Sequence, residues 1–160
     1  MTHRHFSYLQ KKPLVAILRG VQSNEIISIA KVLVDSGFSI IEVPLNSPDP
    51  LASITNLSNE FGEKILIGAG TVLQKNDVLD IRNAGAKLAV APNANPEVIT
   101  AAKDEGLITI PGIATPTEAF TAIGLGADAL KLFPAESAPP EVLKSFKACL
   151  LYTSPSPRDQ

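Results

Sequence analysis

The chain has 160 residues, 45% of them hydrophobic but only 5% aromatic and none Trp, which suits one domain with an aliphatic core. Its 14 Lys and Arg against 16 Asp and Glu give a net charge of -2, so no basic field exists to hold nucleic acid or an anionic membrane. One cysteine (Cys149), two N-terminal histidines (His3 and His5) and no long apolar run exclude an internal disulfide, a Cys-based metal cluster, a membrane span and a signal peptide, and a cytoplasmic protein is the expectation.

From residue 14 onward, short apolar runs alternate with amphipathic stretches. The runs fall at 15–18, 40–43, 65–67, 88–91, 107–110 and 129–132. They are too continuous for half-exposed antiparallel strands and predict parallel strands buried on both faces. Between them, helices are predicted by their punctuation. Ser23 precedes the first, which Gly37 stops. The second covers 48–61 and ends at Gly62, and the third covers 75–84 and ends at Gly85. Pro96 opens the fourth, which ends at Gly106. Thr115-Pro116-Thr117-Glu118 opens the fifth, stopped at Gly124 or Gly126, and the sixth covers 140–149, with Cys149 as a small buried hydrophobe.

Six strand–helix units in succession imply a parallel sheet with right-handed crossovers. An open doubly wound sheet would carry a glycine-rich dinucleotide turn after its first strand, and Arg19-Gly20-Val21-Gln22 is not one. Polar and special residues instead recur at every strand's C-terminal end, the plan of a (β/α)8 TIM barrel. Strands recur about every 23 residues, so eight units need about 184. The expected organisation is an N-terminal extension over 1–12, a partial barrel of about six units over 13–150, and a non-native-looking Ser-Pro tail over 151–160.

Two strands carry a charge where burial is costly. Lys131 lies in Ala129-Leu130-Lys131-Leu132-Phe133-Pro134, and Glu42 in Ser39-Ile40-Ile41-Glu42-Val43-Pro44. A desolvated lysine is a competent amine nucleophile, and a buried carboxylate is a competent acid/base. The pair therefore fits Schiff-base chemistry, and it equally fits a buried ion pair without chemistry. Arg19, at the end of the first strand, suits a carboxylate or phosphate, or a neighbouring acid. Thr71 follows a Gly68-Ala69-Gly70 turn that lets backbone approach a ligand or simply tightens the chain. Asn46 and Ser47 contact substrate or cap the helix opened by Pro48.

These segments, Ala16-Ile17-Leu18-Arg19-Gly20, Ile41-Glu42-Val43-Pro44-Leu45-Asn46-Ser47, Ile67-Gly68-Ala69-Gly70-Thr71-Val72, Ala91-Pro92-Asn93, Ile110-Pro111-Gly112 and Leu130-Lys131-Leu132-Phe133-Pro134, together resemble the bacterial KDPG/KHG aldolase family over residues 13–150. The resemblance implies a class I aldolase, a lyase without metal or cofactor, with Lys131 as the Schiff-base lysine and Glu42 as the general acid/base. It implies that Arg19 lies near the substrate's anionic groups, that Thr71 helps hold the pyruvyl carboxylate, and that Pro92 and Phe133 wall the pocket.

Pro44-Leu45-Asn46-Ser47-Pro48 looks like the branch that cleaves 2-dehydro-3-deoxy-6-phosphogalactonate to pyruvate and glyceraldehyde 3-phosphate; the gluconate branch usually has Thr-Leu-Arg there. The alternatives are 2-dehydro-3-deoxy-6-phosphogluconate or 4-hydroxy-2-oxoglutarate as substrate, an isomerase or epimerase on the same barrel, and an inactive barrel fragment. The family also implies a phosphorylated 2-keto-3-deoxy sugar acid as partner and a homotrimer. Its phosphate loops, after the seventh and eighth strands, have no counterpart up to Leu150.

Overall fold

The computed structural model describes residues 7–9 and 13–150. Each predicted strand and helix is present: β1 (Ala16–Ile17), α1 (Ile26–Asp35), β2 (Ile40–Pro44), α2 (Pro50–Phe61), β3 (Leu66–Gly70), α3 (Lys75–Asn83), β4 (Leu88–Val90), α4 (Pro96–Asp104), β5 (Ile108–Ile110), β6 (Gly112–Ile113), α5 (Pro116–Gly124), β7 (Lys131–Leu132) and α6 (Pro140–Leu150). Every paired strand is parallel, and neighbours in space are neighbours in sequence: β1-β2-β3-β4-β5 form one sheet and β6-β7 a second. That order, with a helix after each strand except β5, is the barrel order rather than the switched order of a doubly wound sheet.

One predicted strand is two. The run at 107–110 continues past Pro111, which has no N–H to give to a ladder. β5 pairs with β4, whereas β6 pairs with β7, and the Pro111 carbonyl accepts a 2.9 Å hydrogen bond from the Lys131 amide. Pro111 and Gly112 therefore hand the sheet from one partner to the next instead of ending a strand. Gly112 has to be glycine: a Cβ there would strike the Pro92 backbone.

The two faces follow from the strand period of two. Register pairs Ala16 with Ile41 and Ile41 with Ile67, and these side chains join Ile26, Ala30, Ile54, Leu57, Val78 and Ile81 of the helices in the main core. The alternate residues line the inner face. Ile40, Leu66, Leu88, Val90, Ile108 and Ile110 form a separate cluster there, against which Tyr8, Leu9, Val15 and Ala129 pack. A third cluster joins Ile113 to α5 and α6 through Ala119, Ala122 and Phe146. β2 and β3 are buried at all five positions each, as continuous apolar runs predict. β7, the end strand among the described residues, is only half-buried.

Helix termini follow their sequence signals where side chains can reach. Thr115 and Glu118 close the predicted box on α5, with Oγ1 of Thr115 accepting from the Glu118 amide and Glu118 accepting from the Thr115 amide at 2.8 Å. Asn95 caps α4 by accepting from the Glu97 amide. The first helix starts later than Ser23 suggests, with Glu25 at its N-cap. Cys149 is exposed, because α6 turns Phe146 rather than Cys149 toward the core. Residues 1–6 and the 151–160 tail, with His3 and His5, lie outside the described residues.

Candidate active site

Glu42 sits in the middle of β2 with its side chain on the inner face, paired in register with Ile17 on one side and Gly68 on the other. It is 3% exposed. Its Oε2 is buried without a hydrogen-bond partner. Burial raises its pKa above the ordinary value near 4.5, while the positive charges of Lys131 and then Arg19 pull it back down. Three residues carried by three separate strands or their exits thus share one electrostatic neighbourhood. Among the described residues, the ion pairs are Arg82–Glu105 and Lys103–Asp128, so Glu42 and Lys131 form no direct ion pair.

Lys131 opens β7 and pairs with Gly112. It is half-buried rather than buried. Among the described residues β7 pairs with β6 alone. The expectation of a deeply desolvated amine is corrected accordingly. Its Nζ lies 4.7 Å from the Phe133 ring centroid, within cation–π range. Phe133 is 41% exposed, so it faces the amine instead of forming a buried wall. The Phe133–Pro134 peptide is cis.

Arg19 follows β1 and hydrogen-bonds through NH1 to Asn46 Oδ1 at 3.3 Å. Beside it, the Gly20 amide donates to Ser47 Oγ at 3.2 Å. Two adjacent side chains after β2 therefore hold two adjacent residues after β1. This arrangement replaces the predicted capping role: Asp49, with φ +40°, is the N-cap of α2, and neither Asn46 nor Ser47 caps it. Gly20 has φ +75°, which a glycine supplies without strain.

Gly68 and Gly70 are strand residues of β3 rather than a turn. The turn begins at Thr71, a non-glycine residue at φ +56°, in the sparsely allowed left-handed region. Thr71 is half-buried at the exit of β3. Pro92 is half-buried at the exit of β4, its backbone against Gly112. All seven predicted site residues, Arg19, Glu42, Asn46, Thr71, Pro92, Lys131 and Phe133, thus come at or just beyond strand ends, except Glu42, which lies one turn of the pleat deeper.

Sequence reasoning missed Asp128. Its amide donates to the Thr109 carbonyl at 3.1 Å, and its Oδ2 accepts from the Thr109 amide at 2.9 Å. Its carboxylate also takes two 2.8 Å bonds from Lys103 Nζ. This grip fixes where β7 starts, three residues before Lys131. A lone acid between a helix-ending glycine and a strand was the available signal. A concavity of about 540 Å³ between α3 and α4 includes none of these residues. No group of three or more His, Cys, Asp or Glu among the described residues could hold a metal ion.

Parallel β/α units in barrel order, with an acid, an amine and a guanidinium in one electrostatic neighbourhood, define a partial (β/α) barrel. The family described as KDPG and KHG aldolase matches residues 6–151, and the chain belongs to that family. It is 45% identical over 140 residues to the 2-dehydro-3-deoxy-6-phosphogalactonate aldolase of Escherichia coli (strain K12), a match covering 88% of this chain and 68% of the relative. Among solved structures, one described as native KDPGal superposes with a TM-score of 0.86 at 45% identity, covering 88% of this chain and 68% of that one. The KDPG aldolase of Legionella pneumophila, solved with pyruvate captured at low pH as a covalent carbinolamine intermediate, gives 0.82 at 27% identity, covering 89% and 69%. The chain spans about two thirds of the length of these relatives. No helix among the described residues is long and apolar enough to cross a membrane.

Proposed function

We propose that this chain carries the catalytic half of a class I aldolase that cleaves 2-dehydro-3-deoxy-6-phosphogalactonate to pyruvate and glyceraldehyde 3-phosphate. The observation that carries the reading is the buried, unpartnered Glu42 carboxylate, held in the field of Lys131 without being neutralised by a direct ion pair.

The Lys131 amine adds to the C2 ketone of the substrate, and loss of water from the carbinolamine leaves an iminium. A base removes the C4 hydroxyl proton. The C3–C4 bond then breaks, its electron pair flows into the iminium, and glyceraldehyde 3-phosphate leaves with the new carbonyl. A proton delivered to C3 converts the resulting enamine to the pyruvate iminium, and water releases pyruvate and the free amine. Glu42, with its proton affinity raised by burial, is suited both to take a proton and to return one. Arg19 places a positive charge beside the same carboxylate and is suited to the substrate's anionic groups. Thr71, at the exit of β3, is assigned to the pyruvyl carboxylate, and Pro92 and Phe133 to the apolar side of the site.

The galactonate substrate rests on Asn46, which bonds to Arg19, and on the similarity to the Escherichia coli relative. A homotrimer and a cytoplasmic setting are proposed with it, on family membership.

Borohydride reduction in the presence of pyruvate tests the reading. A stable mass gain on Lys131 is expected, and Lys131→Met abolishes it. An adduct that persists in Lys131→Met, or none in the parent chain, overturns the mechanism.

A further inference from the structure

We propose that Gly70 is the positioning residue for the catalytic carboxylate: the side chain it lacks is the slot that Glu42 occupies. The inference rests on the aldolase reading for its consequence but not for its geometry. Gly70 is the last residue of β3 and pairs with Pro44, while Glu42 pairs with Gly68, two residues earlier on the same inner face. Side chains on adjacent parallel strands at such positions reach across one another. A Cβ built on Gly70 would overlap Oε2 of Glu42, with the carboxyl carbon and Oε1 the next atoms it meets.

Gly70 has no positive φ, so its backbone does not ask for glycine. The requirement comes from the carboxylate alone. Gly68 differs, because a Cβ there would run into the Leu88 side chain and carbonyl, so its absence serves packing. The two glycines of β3 therefore do separate work on one face. One lets Leu88 pack against β3 in the register row of Glu42. The other lets Glu42 lie flat against the β3 backbone, where Oε2 is out of water and has no donor. A carboxylate pushed out of that slot would swing toward solvent and away from the substrate carbon it has to serve.

The test is Gly70→Ala in the 160-residue chain, read by two measurements. The first is exchange of pyruvate methyl protons for deuterium, in which the Lys131 iminium loses a C3 proton to Glu42 and the enamine regains a deuteron by the same route. Exchange is expected to fall at least about tenfold, while borohydride trapping on Lys131 stays within about twofold of the parent. The second is the thermal midpoint of Gly70→Ala placed in the parent and in the Glu42→Asp background, where the shorter acid clears the new methyl. The methyl is expected to cost several degrees beside Glu42 and clearly less beside Asp, with exchange partly rescued in the double variant.

Unchanged exchange in a folded Gly70→Ala overturns the proposal. So does a thermal cost that is the same in both backgrounds, or a failure to fold that Glu42→Asp does not relieve. If the parent traps no pyruvate, the aldolase reading fails, and the thermal comparison still decides whether Gly70 and Glu42 share the slot.

Discussion

Removing the Asp128 carboxylate should cost more stability than its surface position suggests, and the bonds it makes allow the cost to be divided. The carboxylate gives the buried Thr109 amide its acceptor at 2.9 Å and takes two 2.8 Å bonds from Lys103. Thr109 is 2% exposed, so in Asp128→Ala its N–H is left without a partner out of water, which costs about 1–3 kcal/mol. The ion pair counts for less. Its side chains are 26% and 17% exposed, so solvent screens the attraction and the freed lysine regains water, giving about 0–1 kcal/mol. Asp128→Ala should therefore lose about 1–4 kcal/mol, a fall in thermal midpoint of roughly 2–4 °C for each kcal/mol in a domain of this size.

Asp128→Asn is the control. Its remaining oxygen can still accept from the Thr109 amide, so only the ion-pair share, at most about 1 kcal/mol, should go. Differential scanning calorimetry on both variants separates the contributions. Equal losses in the two would refute the assignment of the larger share to the Thr109 amide. Because the same grip sets the start of β7, Asp128→Ala should also slow pyruvate trapping on Lys131 more than Asp128→Asn does.

The remaining predictions concern Glu42. In Glu42→Gln, trapping on Lys131 should persist in part while cleavage slows by about 10²–10⁴, the usual contribution of a positioned acid/base; unchanged turnover in a steady-state assay would remove Glu42 from the mechanism. Stability has its own sign. With its folded pKa raised above 4.5, the native state binds the extra proton in the window above that value, so the parent loses stability as pH rises from about 4.5 through the folded pKa. Glu42→Gln lacks that loss, and its urea midpoint should gain on the parent as pH rises; a constant gap between pH 4.5 and 8 would count against the burial argument. Arg19→Ala removes a charge that lowers the Glu42 pKa, so the acid limb of the exchange-rate profile should move to higher pH. A limb that stays put or moves down would show that Arg19 does not act on Glu42.

The barrel order was legible because its strands are buried on both faces. Continuous runs such as Ile40–Pro44 admit few alternatives, and Pro96, Thr115 and the glycines after each helix mark the boundaries chemically. The Glu42 and Lys131 positions were legible for a related reason, since a charge inside such a run stands out. What the sequence left hidden depends on which strand lies beside which. Asn46 and Ser47 read equally as caps or as substrate contacts until the register of β1 with β2 sets them against Arg19 and Gly20. Pro111 reads as a strand end until β7 is seen to pair beyond it. Local pattern gives the period of an element but not the neighbour that uses its last residues. The half-buried state of Lys131 follows from the same limit, because a run of apolar letters does not say how many strands flank it.

The cluster of Ile40, Leu66, Leu88 and Ile108, against which Tyr8 and Leu9 pack, has a consequence beyond packing. It sets apolar side chains on the same sheet face as Glu42, and their bulk helps keep water from the carboxylate. Residues that never meet the ligand then tune the acidity of the group that does: space opened in the same register row, as by Leu88→Ala, would hydrate the carboxylate and pull its titration back toward that of a free carboxylic acid. Apolar packing on one strand is in this sense a chemical control on another.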